Sequence, residues 1–262
     1  MIDIHYHLLH GVDDGPKDLD ASLALAESSI SEGVTHIVAT PHANYRYDFN
    51  PTINQAKLAE LNRYLRGRVT LGLGCDFHLS HDNVSDAFEH RVKYTINGSR
   101  YLLVELPDFA IPPSISEVLY EFTIRGIVPI VTHPERNPVL IAKPEMMKPL
   151  MRCGCLVQIT AASLVGKFGG RPQSACHHLL RKNWVHLVAS DAHSIKERPP
   201  MMKSAYNILK RAYGAEAADR LCILNPRAIF DGQTLIDQPD ALDLDDDLPS
   251  WRSGLLSSLF SR

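Results

Sequence analysis

The chain has 262 residues, 45% hydrophobic and 22% charged, with a formal net charge of -3. That is an ordinary globular composition, long enough for one barrel-sized α/β domain or two small ones, and it supplies no basic field for nucleic acid. Cys75, Cys153, Cys155, Cys176 and Cys222 are an odd number at unpatterned spacings and read as reduced thiols. With neither a secretory leader nor a run of roughly 18 apolar residues, a cytoplasmic protein is the default expectation.

In chain order, the first strand runs from Ile2 to His5. DLDASLALAESSISEG follows, with apolar positions at helical spacing and a closing Gly33, and leads into THIVAT (35–40). A second helical stretch around 53–65 precedes VTLGLGCD (69–76), and YLLVEL (101–106) is the fourth strand. A helix over about 114–125, stopped by Gly126, leads to IVPIVTH (127–133), CLVQIT (155–160) and VHLVASDAH (185–193). These runs are short, apolar and rich in β-branched residues, the pattern of parallel strands buried on both faces. Strand alternating with helix predicts a parallel sheet with helices outside it. The seven strands are one short of the common barrel and suit a barrel with a missing or irregular unit.

From Ile236 the composition shifts. DQPDALDLDDDLP is acidic and Pro-flanked and reads as a mobile linker; it ends in SWRSGLLSSLFSR, where Trp251, Leu255, Leu256, Leu259 and Phe260 fall near one helical face. The expected organisation is a barrel over 1–235 and a tail over 236–262. The apolar end of that tail would fray, dock on its own domain, or dock on a partner or membrane surface.

Metal-capable side chains collect at the strand ends. His5 and His7 close the first strand, Asp14 lies in the loop after it, and His42 follows the second; Asp76, Glu105 and His133 close the third, fourth and fifth, and Asp191 and His193 the last. In parallel α/β folds the carboxyl ends of the strands converge on one face. His5 and His7 share one side of an extended segment by the period of two, as do Asp191 and His193. A single such histidine is ordinarily structural; five histidines and four carboxylates distributed this way read as ligands. Imidazole and carboxylate without thiolate suit manganese, iron or zinc, and nine ligands imply two or three ions. His10, Asp13, His78 and His81 are nearby and read as solvated or supporting. His36, His90, His177, His178 and His186 fall away from that rim.

Closely spaced divalent ions clamp the oxygens of an in-line displacement and lower the pKa of bound water, chemistry that suits phosphate-ester hydrolysis. Arg136, three residues beyond His133, and Arg198, five beyond His193, could add fixed positive charge for the phosphoryl oxygens.

The segments IDIHYHLLHGVDDGPKDLDASLALA, VATPH, YLLVELP, THPERN, QITAASLVGKFGG and VASDAHSIKERPP resemble the polymerase-and-histidinol-phosphatase (PHP) superfamily. Within it they are similar to the bacterial manganese-dependent tyrosine-protein phosphatases of capsule and exopolysaccharide clusters, over residues 1 to about 230. The resemblance implies a distorted (β/α)7 TIM-like barrel with three manganese ions. His5, His7, Asp76 and Asp191 would hold one ion. Asp76 would bridge to a second, bound also by Glu105 and His133, and Asp14, His42 and His193 would hold the third. Arg136 and Arg198 match the phosphate-contacting arginines. The substrate implied is the phosphorylated tail of a tyrosine kinase that regulates polysaccharide polymerisation and export. Two positions depart from the pattern: Asp76 stands where the bridging residue is usually glutamate, and His10 where proline is common.

Two other readings compete. One is a small-molecule phosphomonoesterase such as histidinol-phosphate phosphatase, which a closed pocket would favour over an open rim. The other is a non-catalytic, metal-containing binding module, which would not need all nine ligands and both arginines. A nuclease is disfavoured by the acidic balance. The residues leave association between protomers open.

Overall fold

The computed structural model describes residues 1–247. Its strands are β1 (Ile2–Tyr6), β2 (His36–Ala39), β3 (His42–Ala43), β4 (Thr70–Leu73), β5 (Asp76–His78), β6 (Tyr101–Glu105), β7 (Val128–Thr132), β8 (Leu156–Thr160) and β9 (Leu187–Ala189). Every ladder between them is parallel. Two of the seven expected strands are broken in the middle, the second at Thr40-Pro41 and the third at Gly74-Cys75. Pro41 has no N–H for a ladder, but its carbonyl accepts from Asp76 N at 3.2 Å, and Gly74 N donates to the Ala39 carbonyl at 2.9 Å. β2 with β3 and β4 with β5 therefore act as single interrupted staves, and nine strands make seven staves.

Their order is β1-β2-β4 and then β3-β5-β6-β7-β8-β9. The ring returns to its start through a single bridge, Tyr6 to Ala192, with His7 N on the Ala192 carbonyl and Asp191 N on the His5 carbonyl, both at 2.9 Å. The architecture is a distorted seven-stave α/β barrel. Alternation along the strands gives each two buried faces: Leu102 and Val104 join the large cluster under the helices, whereas Leu103 joins Ile130 and Leu187 in a smaller one. Glu105 shares the face of Leu103 by the period of two.

The helices are α1 (Leu19–Ser31), α2 (Pro51–Leu65), α3 (His81–Glu89), α4 (Ser114–Ile124), α5 (Pro138–Ala142), α6 (Met147–Arg152), α7 (Ala161–Val165), α8 (Gly170–Arg181), α9 (Met202–Tyr213), α10 (Ala215–Asp219) and α11 (Asn225–Phe230). Local chemistry sets their ends. Asp18 accepts the Ala21 N–H at the start of α1, and Asn50 accepts the Ile53 N–H ahead of Pro51 at the start of α2, each satisfying a donor that the first turn leaves free. All five cysteines are free and four are buried. No helix among the described residues is long and apolar enough to cross a membrane.

Residues 240–247, within the stretch that reads in sequence as a mobile linker, lie on the barrel. Leu242 N donates to the Lys182 carbonyl, the Trp184 indole donates to the Leu242 carbonyl, and Asn183 donates to the Asp240 carbonyl. Asp243 pairs with Lys182, and Asp245 and Asp247 pair with Arg152. The acidic run that suggests a solvated linker has cationic partners that only the tertiary structure brings together. The apolar stretch from Trp251 to Phe260 lies outside the described residues.

Candidate metal centre

At the carboxyl ends of the staves the nine candidate ligands meet. His5 is the penultimate residue of β1 and His7 follows it; His42 opens β3, Asp76 opens β5, Glu105 ends β6, and His133 follows β7. Asp191 and His193 lie just beyond β9, and Asp14 reaches in from the loop after β1. His5 Nε2 is 3.5 Å from Asp76 Oδ2 and 3.3 Å from Asp191 Oδ1, and His7 Nε2 is 3.4 Å from Asp191 Oδ1. His42 spans the cluster, with Nδ1 at 3.2 Å from Asp76 Oδ2 and Nε2 at 3.3 Å from Asp14 Oδ1. His193 Nε2 is also 3.3 Å from Asp14 Oδ1, and His133 Nε2 is 3.9 Å from Glu105 Oε1.

Three of the imidazoles are oriented by a partner on the opposite nitrogen. His5 Nδ1 hydrogen-bonds Gln158 Oε1 at 2.8 Å, His7 Nδ1 bonds Asp13 Oδ2 at 2.7 Å, and His193 Nδ1 bonds the Asp191 carbonyl at 3.0 Å. An acceptor there fixes the proton on Nδ1 and leaves the Nε2 lone pair facing the centre, the usual support for a metal-bound histidine. Among the described residues, His5 Nε2, His7 Nε2, His42 Nδ1, His193 Nε2, both Asp76 oxygens and Asp191 Oδ1 are buried without a hydrogen-bond partner. Buried polar atoms in that condition are costly and rare. Here they all point at one another across gaps suited to cations. The residues fit a set of divalent ions.

Ligand atoms within 4.8 Å of one another form four overlapping sets: His7, Asp14, His42 and His193; His5, His7 and Asp76; His5, His133 and Asp191; His42, Asp76 and Glu105. This grouping differs from the division implied by the resemblance: His7 also falls with Asp14, His42 and His193, and Asp191 separates from His7 and Asp76. His133 falls with His5 and Asp191, its ring 5.7 Å from that of His5, while His42 takes the place beside Asp76 and Glu105. Asp76 belongs to two sets, so the shorter side chain still lies between neighbouring positions.

The electrostatics describe a pocket short of positive charge. Burial alone would lift the carboxyls of Asp76 and Asp191, but His5 and His42 around the first, and Arg198 and His5 around the second, hold both well below the usual carboxylate range. Burial opposes charging of His5 and His42 too, yet Asp76 and Asp191 raise the former to about 9, and Asp14 and Asp76 raise the latter to about 11. Glu105 is raised to about 7 by burial and by Asp76. His133, buried beside Arg136, falls to about 3, and His193, buried against His7, to about 4. The carboxylates thus hold protons on two imidazoles where bound cations would otherwise supply the charge.

His133 (φ 34°) and Asp191 (φ 51°) both occupy the left-handed region, a conformation that costs a non-glycine residue about 1–3 kcal/mol and clusters at functional sites. In each case the turn throws the side chain back over the barrel mouth. Arg136, in the turn after His133, and Arg198, in the loop after His193, both donate to Asp191 Oδ2, the second at 2.5 Å. Arg136 also lies over the Phe168 ring at 5.1 Å. Two guanidinium groups therefore flank the centre.

Some supporting residues take their partners only from the fold. Asp13 reads in the sequence as solvated or supporting, and the fold gives it the supporting role of orienting His7. Gln158 is a lone polar residue inside the apolar strand CLVQIT, a signal that was open to use. Asp3, fully buried, accepts from Ser190 N at 3.0 Å and ties β1 to β9. His10 faces Glu60 at 3.8 Å, His36 pairs with Arg227, His90 with Asp86 and His177 with Tyr213, all away from the cluster.

Residues 1–231 match the family described as Capsular polysaccharide synthesis, CpsB/CapC. The chain is 36% identical over 222 residues to a putative tyrosine-protein phosphatase CapC of Staphylococcus aureus, covering 82% of this chain and 86% of that one. It is 31% identical over 243 residues to the tyrosine-protein phosphatase YwqE of Bacillus subtilis (strain 168), covering 91% and 95%. A crystal structure from work on YwqE of Bacillus subtilis and CpsB of Streptococcus pneumoniae, described as unique metal-dependent tyrosine phosphatases, superposes with a TM-score of 0.86 at 29% identity, over 93% of this chain and 100% of that one. With a match across nearly the whole barrel and relatives of this identity and coverage, the chain belongs to the CpsB/CapC family of capsular polysaccharide synthesis.

Proposed function

We propose that the protein is a metal-dependent phosphotyrosine-protein phosphatase. The observation that carries this reading is the convergence of nine imidazole and carboxylate side chains, with unpartnered atoms facing inward, beside two arginines at one barrel mouth. The relatives named as tyrosine-protein phosphatases support it. The nine side chains would hold two or three divalent ions, manganese first and iron or zinc as alternatives, which supply a hydroxide nucleophile near neutral pH and charge for the phosphoryl oxygens.

The protein's own groups do the rest. Arg136 and Arg198 present N–H donors beside Asp191, where they can bind equatorial phosphoryl oxygens and orient the ester in line. Gln158 and Asp13 keep His5 and His7 in one tautomer. The phenolate leaving group, with a pKa near 10, needs less protonation than an alkoxide would. Around the mouth, Tyr45 is 87% and Phe109 98% exposed on the loops after β3 and β6; these aromatic surfaces suit a phenyl ring carried on a polypeptide. The substrate that fits is a phosphorylated tyrosine-kinase tail, and the five free cysteines suit the reducing cytoplasm.

The test is phosphate release by metal-stripped, manganese-reloaded protein, comparing a phosphotyrosine peptide with histidinol phosphate. Turnover of the peptide, lost on chelation and in Asp76→Ala and His42→Ala but kept in His36→Ala, is the expected result. Preference for histidinol phosphate would move the reading to a small-molecule phosphatase. Silence on both with metal bound would overturn catalysis.

A further inference from the structure

Residues 166–169, Gly-Lys-Phe-Gly, join α7 to α8 and touch the loops of both arginines. Local chemistry fixes the shape of this linker. Gly166 (φ 91°) and Gly169 (φ 94°) both take a positive φ that favours glycine. Gly166 N–H donates to the Ser163 carbonyl at 3.0 Å and Lys167 N–H to the Ala162 carbonyl at 2.9 Å, the pair of bonds that closes a helix end. Lys167 and Phe168 are thus held between two glycine turns. From there Lys167 Nζ donates to the Lys196 carbonyl at 3.0 Å, two residues before Arg198. The half-buried Phe168 ring lies under the Arg136 guanidinium, its centroid 5.1 Å from Cζ. The start of α7 is tied to the same turn, because Glu135 Oε1 accepts the Thr160 N–H at 2.9 Å. Residues 135 and 136 therefore grip α7 and its linker at opposite ends.

We infer that Phe168 is the positioning residue for Arg136, holding its guanidinium plane ready for a phosphoryl group; this rests on the reading of the site as one that binds phosphate. Arg136 stands among Asp191, Glu135 and Glu105, and carboxylates compete with a phosphoryl group for its N–H donors. Among the described residues its side chain makes one hydrogen bond, to Asp191 Oδ2. An aromatic face attracts the cation without accepting any of its in-plane N–H groups. The ring therefore fixes the plane and leaves the remaining donors to the ligand, whereas a carboxylate or amide at position 168 would hold the arginine only by occupying those donors. Lys167 braces the other side. The loop that carries Arg198 is closed on itself by His193 N–H on the Arg198 carbonyl at 3.0 Å, and the Lys167 ammonium ties its tip to the same linker. One short segment thus sets the spacing of both arginines.

The experiment is calorimetric titration of the manganese-loaded full chain with inorganic phosphate, with metal content measured alongside by elemental analysis. Phe168→Leu keeps the apolar bulk and loses the aromatic face; it should weaken phosphate binding about fivefold to thirtyfold, the scale of a partly desolvated cation–π contact, at unchanged metal content. Phe168→Tyr restores the face and should bind phosphate as the natural chain does. Equal affinity in Phe168→Leu, equal loss in Phe168→Tyr, a fall in metal content that accounts for the loss, or no phosphate binding by the natural chain would each overturn the inference. Turnover of a phosphotyrosine peptide by the natural chain is followed separately. Turnover with no dependence of phosphate affinity on Phe168 keeps the proposed function and overturns the inference; the dependence without turnover does the reverse. A second readout needs no substitution at position 168: in the natural chain loaded with diamagnetic zinc, nuclear Overhauser contacts should join the Phe168 ring to the Arg136 side chain, and their absence also overturns the inference.

Discussion

The carboxylate of Asp13 accepts from His7 Nδ1 at 2.7 Å and from the His42 backbone N–H at 3.3 Å through one oxygen, and from Gly15 N–H at 2.9 Å through the other. One side chain therefore sets the tautomer of one candidate ligand, the backbone of a second, and the turn that delivers Asp14. Gly15 is required in that turn because a Cβ would lie 2.7 Å from the His7 carbonyl oxygen, closer than packed atoms tolerate. Asp13→Ala should lower metal affinity by about 10–100-fold, the usual scale for losing the hydrogen-bond partner of a ligating histidine. His10→Ala, three residues earlier and turned toward Glu60, should bind metal as the natural chain does. Equilibrium dialysis against manganese with elemental analysis checks both, and equal affinity in the Asp13 variant would remove its assigned role.

At the scale of elements, the seams between staves depend on polar residues that ladder hydrogen bonds alone do not explain. His186, just before β9, accepts the Val157 N–H of β8 through Nδ1 at 3.1 Å, and its carbonyl receives the Asn225 amide of α11. Burial, with Arg220 adding to it, lowers its pKa to about 4. The unfolded chain, with an ordinary value near 6.5, takes up the proton first as pH falls, so this stabilisation is present above pH 6.5 and is lost through pH 4. Between pH 7 and 5 the loss should be about 2 kcal/mol. Urea unfolding at those two pH values should show a shallower pH dependence in His186→Asn, whose amide oxygen can still accept from Val157; an unchanged slope would exclude His186 as its source. Much of the seam geometry is hidden from the sequence. The apolar runs and the helix stops locate the staves, and the strand-end rule gathers candidate ligands from His5 to His193. Yet the breaks at Pro41 and Gly74, the left-handed turns at His133 and Asp191, and the pairing of the acidic tail with Arg152 and Lys182 depend on neighbours remote in sequence. The same limit explains Asp13: nothing local to the loop says which nitrogen it will face.

Across the whole molecule, the site poses a charge problem that the fold does not solve by itself. Asp14, Asp76, Glu105 and Asp191 converge with, among the described residues, only Arg136 and Arg198 as fixed cations, and the pair on Asp191 Oδ2 serves one carboxylate foremost. Without metal, the carboxylates keep protons on His5 and His42, with pKa values of about 9 and 11. Protons at two imidazoles are a smaller and less well distributed charge than two or three divalent ions, and they leave the inward atoms of Asp76, Asp191 and His193 unpartnered. Metal binding must displace those protons, so it should release acid and weaken as pH falls. A ligand present at 100 times its Kd stabilises the folded state by about 2.7 kcal/mol. For a chain of this size each kcal/mol moves Tm by about 2–4 °C, which predicts a rise of about 5–11 °C between chelator-treated and manganese-loaded protein. Thermal melts in weakly buffered solution, with pH recorded during loading, measure both quantities together. Asp76→Ala, which removes a member of two ligand sets, should lose most of the metal-dependent rise while keeping its barrel. If chelation leaves Tm unchanged, the inward-facing atoms must be satisfied in some other way, and the charge argument for a metal centre fails.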